Sequence, residues 1–332
     1  MERKIDKRNV LLDTADLKKY YVVKNSIFRE KRKVLKAVDG INLRIYEGET
    51  MGLVGESGCG KSTLGRTILK LHSVTDGVIW YKGNQIENFG FEDMRIMRQK
   101  MQMIFQDPFA SLNPRMTIFD SVKASLDAFN IGTKEERKER VEELLEYVGL
   151  GKNQIYKYPH EMSGGQRQRV VIARAMIVNP EFVVCDEPVS ALDVSVRSQV
   201  LNLMKDMQQE KNLAYLFISH DLSVVRYLCD KVAVMYLGRI VEIGTKDEIF
   251  DHPVHPYTKA LLSAIPVPGI HVKTKRIILS GDVPSPLNPP TGCGFHTRCP
   301  YATPECAQIV PELSKVAAGH RVACIHAKEI AD

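Results

Sequence analysis

The chain has 332 residues, 44% of them apolar, and a formal net charge of +6. That length makes one large or two modest domains with a sizeable core. No apolar run approaches the roughly 20 residues that cross a bilayer, and the charged start MERKIDKRNV lacks the apolar segment of a signal peptide, so a cytoplasmic protein is expected.

Residues 1–36 carry twelve Lys/Arg against five Asp/Glu, which leaves the remainder close to neutral. A basic segment can meet nucleic acid or an anionic membrane. With no aromatic–basic interleaving and no base-reading module behind it, this one reads first as a solvated segment. Residues 11–54 alternate short β-like runs (17–23, 34–45, 50–54) with charged turns. Tyr20 or Tyr21 could stack on an adenine face, or sit half-buried in a strand.

The last of those runs leads into Gly55-Glu56-Ser57-Gly58-Cys59-Gly60-Lys61-Ser62-Thr63, and residues 64–71 follow with apolar side chains at helical spacing. Strand, glycine-rich loop and helix form the context in which G-x-x-x-x-G-K-[ST] is a phosphate site. The glycines let successive N–H groups turn around a triphosphate, and the helix N-terminus adds partial positive charge. Lys61 is expected to reach the β/γ-phosphates, Ser62 to ligate Mg²⁺, and Thr63 to offer a further hydroxyl.

Residues 77–83 look like a hairpin strand, and 100–105 like a strand ending in Gln106-Asp107-Pro108. The segment 109–152 is richer in helix signals, with a helix expected over 135–148 and a stop at Gly149. It interrupts the α/β pattern as an inserted helical subdomain. Ser163-Gly164-Gly165-Gln166 then opens an amphipathic helix over 167–178, closed by Asn179-Pro180. Such a start presents N–H groups and a helix dipole to an anion, though an ordinary N-cap leaves the same pattern.

Residues 182–185 form a buried strand from which Asp186-Glu187-Pro188 breaks. At the carboxyl end of such a strand, Asp186 suits a Mg²⁺ ligand through water and Glu187 suits polarising an attacking water. The strand 213–218 ends at Ser219-His220-Asp221, where His220 could sense a γ-phosphate. Residues 232–237 and 239–243 read as a hairpin around Gly238. From His252 prolines crowd the chain, Pro266 and Pro268 among them, and the nucleotide-binding core is expected to end near residue 250.

Three of the seven cysteines (Cys59, Cys185, Cys229) lie among core-like residues, while Cys293, Cys299, Cys306 and Cys324 crowd the last forty. Four thiolates suffice for an iron–sulfur cluster or for zinc. Zinc sites usually show tighter Cys-x₂₋₄-Cys pairs, and uncoordinated thiols are the third reading. His296 and His326 read as neighbours of that group or as exposed residues. Because 292–306 holds little apolar surface, a metal centre is the expected offset to the entropy of ordering it.

Taken in order, the phosphate loop, Gln106, Ser163–Gln166, Asp186-Glu187, Ser190-Ala191-Leu192-Asp193 and His220 resemble an ATP-binding cassette ATPase across residues 11–250. The resemblance makes Gly55–Thr63 the Walker A loop, and Gln106 the Q-loop glutamine that couples Mg²⁺ to the membrane partner. It makes Ser163–Gln166 the signature, Asp186 and Glu187 the Walker B pair, Asp193 part of the D-loop, and His220 the switch histidine. It also selects Tyr21 as the aromatic that stacks on adenine. Met162 stands where the signature often has Leu, a conservative change.

The tail motifs His255-Pro256-Tyr257-Thr258 and Gly281-Asp282-Val283-Pro284-Ser285-Pro286, with the four cysteines, resemble the oligopeptide/dipeptide importer subfamily. The alternative within the same subfamily is an ATPase that serves a nickel or other solute importer. The resemblance implies an α/β P-loop NTPase core with an antiparallel β subdomain and an inserted helical subdomain (about 109–165). An irregular, cysteine-containing extension would follow, giving domains at 1–250 and 251–332. It implies ATP and Mg²⁺, and a [4Fe–4S] cluster on the four cysteines. The implied partners are a second ATPase subunit, related or identical, two membrane permease subunits and, indirectly, a solute-binding protein, all serving the cytoplasmic face of the membrane. Two cassettes would sandwich two ATP molecules, each closed by the other's signature. A soluble cassette protein acting on nucleic acid or ribosomes fits less well, since such proteins typically join two cassettes or carry coiled-coil insertions. A non-catalytic adaptor fits poorly with both Glu187 and His220 present.

Overall fold

The computed structural model describes residues 9–23, 33–265 and 276–331. Residues 1–8 and 24–32 of the basic segment, and Pro266 and Pro268 of the tail, lie outside the described residues. The strands are β1 (Val10–Val23), β2 (Lys33–Tyr46), β3 (Thr50–Val54), β4 (Asp76–Tyr81), β5 (Asn84–Gln85) and β6 (Met101–Ile104). They continue as β7 (Phe182–Asp186), β8 (Ala214–Ile218), β9 (Lys231–Tyr236), β10 (Arg239–Thr245), β11 (Ser314–Lys315) and β12 (Arg321–Val322). The described residues pack into two compact units. One is drawn from the described residues up to 11 and from 45–50 and 88–218, the other from the described residues of 12–44, from 51–87 and from the described residues after 218.

In the first unit β6, β7 and β8 run parallel, with Met101 opposite Phe182 and Phe182 opposite Ala214. Every residue of β7 and β8 is buried. A continuous apolar run, rather than an alternating one, is what a strand covered on both faces requires. The helices of this unit begin where short polar side chains can satisfy orphan N–H groups. Thr117 caps Ile118–Phe129, Thr133 forms a capping box with Glu136 ahead of Lys134–Tyr147, and Ser163 does so with Gln166 ahead of Gly164–Met176. The helix predicted over 135–148 thus appears within a residue of its expected ends.

The longest helix, Val194–Lys211, was not anticipated from the sequence. Asp193 caps it, and Val200, Leu201, Met204 and Met207 bury one face. Those four recur at helical spacing among strongly polar neighbours, which masks the stripe.

In the second unit β2, β1, β4 and β5 form an antiparallel sheet in that order. The strands β11, β12, β10, β9 and β3 neighbour one another in the order given. Here β3 runs parallel to β9, and β9 turns back into β10 through Gly238, which sits at φ 82°. The core α/β layer, antiparallel subdomain and helical insertion are those expected. The region after residue 252 holds more structure than its prolines suggested. A helix forms over Pro256–Ser263, and β12 adds to the edge of β10 with Val322 opposite Glu242.

Candidate functional site

The phosphate loop leaves β3 and enters the helix Lys61–Ile68 at Gly60, which is left-handed at φ 108°. A Cβ there would lie 2.0 Å from the Ala37 carbonyl oxygen, so only glycine lets the chain pass. Ser57 and Gly58 are exposed, and a Cβ at Gly58 would meet nothing within 4 Å. The loop is therefore closed on its protein side and open on the other. Lys61 is 6% exposed. Its Nζ donates to the carbonyl oxygens of Gly55 (2.8 Å) and Glu56 (2.9 Å), which holds the ammonium within the loop's curve. Burial raises the Cys59 thiol above its ordinary pKa, against the opposing influence of Lys61, so it stays neutral beside the ammonium. Ser62 and Thr63 occupy the helix's first turn.

Two other expected residues belong to this unit. Tyr21 stands at the end of β1, its ring edge-on to His72 at 6.0 Å and beneath Lys19 Nζ at 4.8 Å. Tyr20 is committed elsewhere: its hydroxyl donates to Asp39, which also takes two bonds from Arg239. Tyr21 makes no such hydroxyl bond among the described residues, and its ring face is covered by Lys19. His220 is exposed and directly precedes Asp221, whose carboxylate caps Leu222–Leu228.

The first unit gathers the remaining expected residues. Asp186 closes β7 and is fully buried. Glu187 follows at φ 48°, a left-handed conformation that costs a non-glycine residue of order 1–3 kcal/mol and concentrates at functional positions. The turn is fixed by Glu187 N–H donating to the Ile218 carbonyl (3.0 Å) and by the Ser190 hydroxyl donating to the Glu187 carbonyl (3.1 Å). It aims the carboxylate at Gln106, whose Nε2 donates to Glu187 Oε2 at 2.9 Å. Two residues 81 positions apart thus meet as a polar pair.

Ser163 and Gln166 use their side chains on each other's backbone, Ser163 N–H to Gln166 Oε1 at 3.0 Å and Gln166 N–H to Ser163 Oγ at 3.4 Å. Gly165 is required by packing: a Cβ would lie 2.3 Å from Val196 Cγ1. Val196 N–H in turn donates to Asp193 Oδ1 at 3.0 Å. Ser163–Gln166 and Asp193 are therefore mechanically joined.

The [4Fe–4S] cluster expected on Cys293, Cys299, Cys306 and Cys324 is not supported. The four line one hollow with Phe295 and Tyr301. Yet among the described residues no three or more His, Cys, Asp or Glu side chains are gathered so as to hold a metal. All four are free thiols. Burial raises Cys293 and Cys324 above the ordinary thiol range and Cys299 to about 11, which favours thiol over the thiolate that iron requires. One buried residue orders the segment 292–306 without a metal. Phe295 is 1% exposed and packs its ring against Tyr236 (5.3 Å), Tyr257 (5.5 Å) and His255 (5.6 Å).

Sequence reasoning also missed a contact made by the extension. Arg298 donates from Nη1 and Nη2 to the two carboxylate oxygens of Glu56, at 2.8 and 3.1 Å, and the Tyr257 hydroxyl accepts from Glu56 N–H at 2.8 Å. A carboxylate inside a loop built for anions was the available signal, since it calls for a cation partner; nothing in the sequence said which one.

In the first unit Asp186 and Gln106 offer oxygen donors of the kind that Mg²⁺ selects, and in the second an open-faced loop of N–H groups with a buried lysine suits a polyphosphate. A phosphate-binding-loop ATPase of cassette type is the class that this fold and loop define. The family model described as ABC transporter matches residues 38–190, and that described as "Oligopeptide/dipeptide transporter, C-terminal region" matches 241–306. Oligopeptide transport ATP-binding protein AppF of Bacillus subtilis is 53% identical over 320 residues, 96% of this chain and 97% of the relative. Oligopeptide transport ATP-binding protein OppF of Salmonella typhimurium is 50% identical over 330 residues, 98% of each. Among solved structures, the dimeric post-hydrolysis state of the ATP-binding cassette MJ0796 bound to ADP and Pi aligns with a TM-score of 0.64 at 28% identity. That alignment covers 71% of this chain and 99% of that one. The chain belongs to the ABC transporter family, within it to the ATP-binding proteins that carry the oligopeptide/dipeptide transporter C-terminal region.

Proposed function

We propose that the chain hydrolyses ATP to power import of oligopeptides or dipeptides through a membrane permease. The observation that carries the ATPase reading is the phosphate loop with Lys61 held inside it and its outer face open. The peptide reading is supported by likeness along nearly the whole chain to proteins named for oligopeptide transport, and by the C-terminal region match, which favours peptides over nickel.

In this reading the N–H groups of Gly55 and Ser57–Gly60 surround the phosphates, Lys61 leaves the loop carbonyls for the β/γ-phosphates, and Thr63 adds a hydroxyl. Ser62, Gln106 and, through water, Asp186 would hold Mg²⁺, which would supply neutralisation of charge on the transferred group. Glu187, turned outward by its left-handed backbone, orients and polarises the attacking water. Gln106 shares a hydrogen bond with that carboxylate, so displacement of Gln106 by a membrane partner would alter Glu187 directly. His220 senses the γ-phosphate and Tyr21 stacks on adenine. Ser163–Gln166 and Asp193 serve the nucleotide of a second ATPase subunit, in a head-to-tail pair. Residues 1–250 form the nucleotide-binding domain, with the helical subdomain at about 109–165, and 251–332 the extension. No helix of the described residues is long and apolar enough to cross a membrane. Two integral permease subunits, fed by a solute-binding protein, would hold the ATPase pair at the cytoplasmic face.

The direct test is uptake of a labelled oligopeptide into vesicles carrying the permease and this chain. Uptake that requires ATP, and is lost with Lys61→Ala, is expected. ATP hydrolysis without peptide uptake would reject the peptide reading and leave the ATPase one standing.

A further inference from the structure

The extension's grip on Glu56 touches the residue on which the loop's geometry turns. Glu56 is the loop's only acidic residue between Gly55 and Thr63. Its carbonyl takes Lys61 Nζ at 2.9 Å and Cys59 N–H at 3.3 Å, and its N–H is held by the Tyr257 hydroxyl. The peptide groups on both sides of its Cα are therefore fixed. Its carboxylate would otherwise stand as a bare negative charge on the loop that receives a polyphosphate, and repulsion between like charges weakens binding. Arg298 answers that charge with two parallel hydrogen bonds, the strongest geometry that a guanidinium offers a carboxylate.

The arginine is itself pre-set. It is 8% exposed, its guanidinium lies 6.0 Å from the Tyr236 ring centroid, and its N–H donates to the Phe295 carbonyl at 3.0 Å. Phe295 is locked among Tyr236 and Tyr257, so the short turn His296–Arg298 presents the guanidinium at a fixed place. Burial raises the Tyr257 phenol well above its ordinary pKa and keeps the hydroxyl that meets Glu56 neutral.

We propose that Arg298, assisted by Tyr257, is a positioning residue for the ATP site: it neutralises Glu56 and fixes the phosphate loop, so that the C-terminal extension sets the affinity for nucleotide. The proposal rests on the reading of the loop as the ATP site.

The test measures MgATP binding, KM and kcat on the full chain for Arg298→Gln, Arg298→Lys, Glu56→Gln and the double variant Glu56→Gln/Arg298→Gln, each with a thermal melt. Arg298→Gln leaves the carboxylate bare and should raise KM and Kd for ATP about tenfold, within the range of couplings between adjacent groups, with kcat at saturating ATP retained. Arg298→Lys keeps charge but loses the fork, and should weaken binding by about threefold; it serves as the readout if the glutamine variant does not fold. The double variant removes both charges and should recover most of the lost affinity, even where its melting temperature stays low. A role in folding alone predicts instead a lower melting temperature with unchanged KM, and a double variant no better than the single. Either result overturns the proposal. Wild-type chain that binds no ATP would overturn the reading of the loop itself, and this inference with it.

Discussion

The phosphate loop and the turn that grips it are both irregular, glycine- and cysteine-bearing stretches, yet they are held in opposite ways. The loop's internal bonds are local: Lys61 reaches carbonyls five and six residues back, and Gly60 passes a tight spot by its own conformation. The turn around Phe295 and Arg298 is held by partners far away in sequence, Tyr236, Tyr257 and Glu56, the last 242 positions distant. A stretch whose bonds are local writes itself into a motif; a stretch whose bonds are distant does not.

The largest expected effect lies where local chemistry is irreplaceable. Glu187→Gln keeps the shape and the bond partner for Gln106 but removes the charge that polarises water. Turnover should fall by about 10²-fold or more with ATP binding retained. A phosphate-release assay checks the first, nucleotide titration the second. Near-normal turnover would move the catalytic base elsewhere and leave the left-handed turn at Glu187 without a function.

That contrast also explains what the sequence made legible. The parallel strands β6 to β8, the hairpin β9–β10 and the helix Lys134–Tyr147 each declare themselves through a run, a Gly238 turn or a Thr133 cap that lies within the element. The phosphate loop and the Asp186-Glu187 break were visible for the same reason. The bond between Gln106 and Glu187, the close approach of Gly165 to Val196, and Arg298 on Glu56 were not, because each is a product of tertiary packing. The cysteine cluster was over-read. Four thiols at plausible spacing suggested a metal, but a buried aromatic cluster already anchors that segment, and its Phe295 carries no local signature.

Phe295→Ala sharpens the comparison from the distant-bond side. Removing a fully buried aromatic ring typically costs about 3–5 kcal/mol. Because the ring anchors the turn, the loss should appear as earlier cleavage of the extension by protease, together with a lower melting temperature. A variant as protease-resistant as wild type would mean that another contact, not the aromatic cluster, anchors the turn.

A smaller effect comes through His255. It is 1% exposed; its ring Nδ1 accepts Tyr257 N–H at 3.1 Å, and its backbone N–H donates to the buried Glu242, which also pairs with His320 at 2.8 Å. Burial, partly opposed by Glu242, lowers its pKa from 6.5 to about 4. A histidine depressed in the folded state is neutral there while the unfolded chain takes up a proton. Its contribution to stability is full above pH about 6.5 and is lost as the pH falls toward 4, on the order of 3 kcal/mol in all. Denaturant midpoints across that window should fall more steeply for wild type than for His255→Asn, which keeps an acceptor for Tyr257 N–H. Parallel slopes would show that His255 does not carry the acid sensitivity.

The smallest effect tests the local extreme. Thr133 Oγ1 accepts Glu136 N–H at 3.2 Å, while Glu136 Oε2 accepts Thr133 N–H at 2.7 Å, a reciprocal pair spanning four residues. The helix behind it is anchored by Val141 and Leu145, both buried, so the cap only finishes an element that packing already holds. Thr133→Ala removes one acceptor and leaves the Glu136 bond to the backbone in place. A loss of about 1 kcal/mol, the usual worth of an N-cap, is expected, with ATP binding and turnover unaltered. Equilibrium unfolding of the full chain measures it. A loss of several kcal/mol would mean that the cap governs how the helix docks. The energy of this most local device would then depend on distant packing, as the Arg298 turn does, and the division between locally and distantly held segments would no longer follow sequence separation.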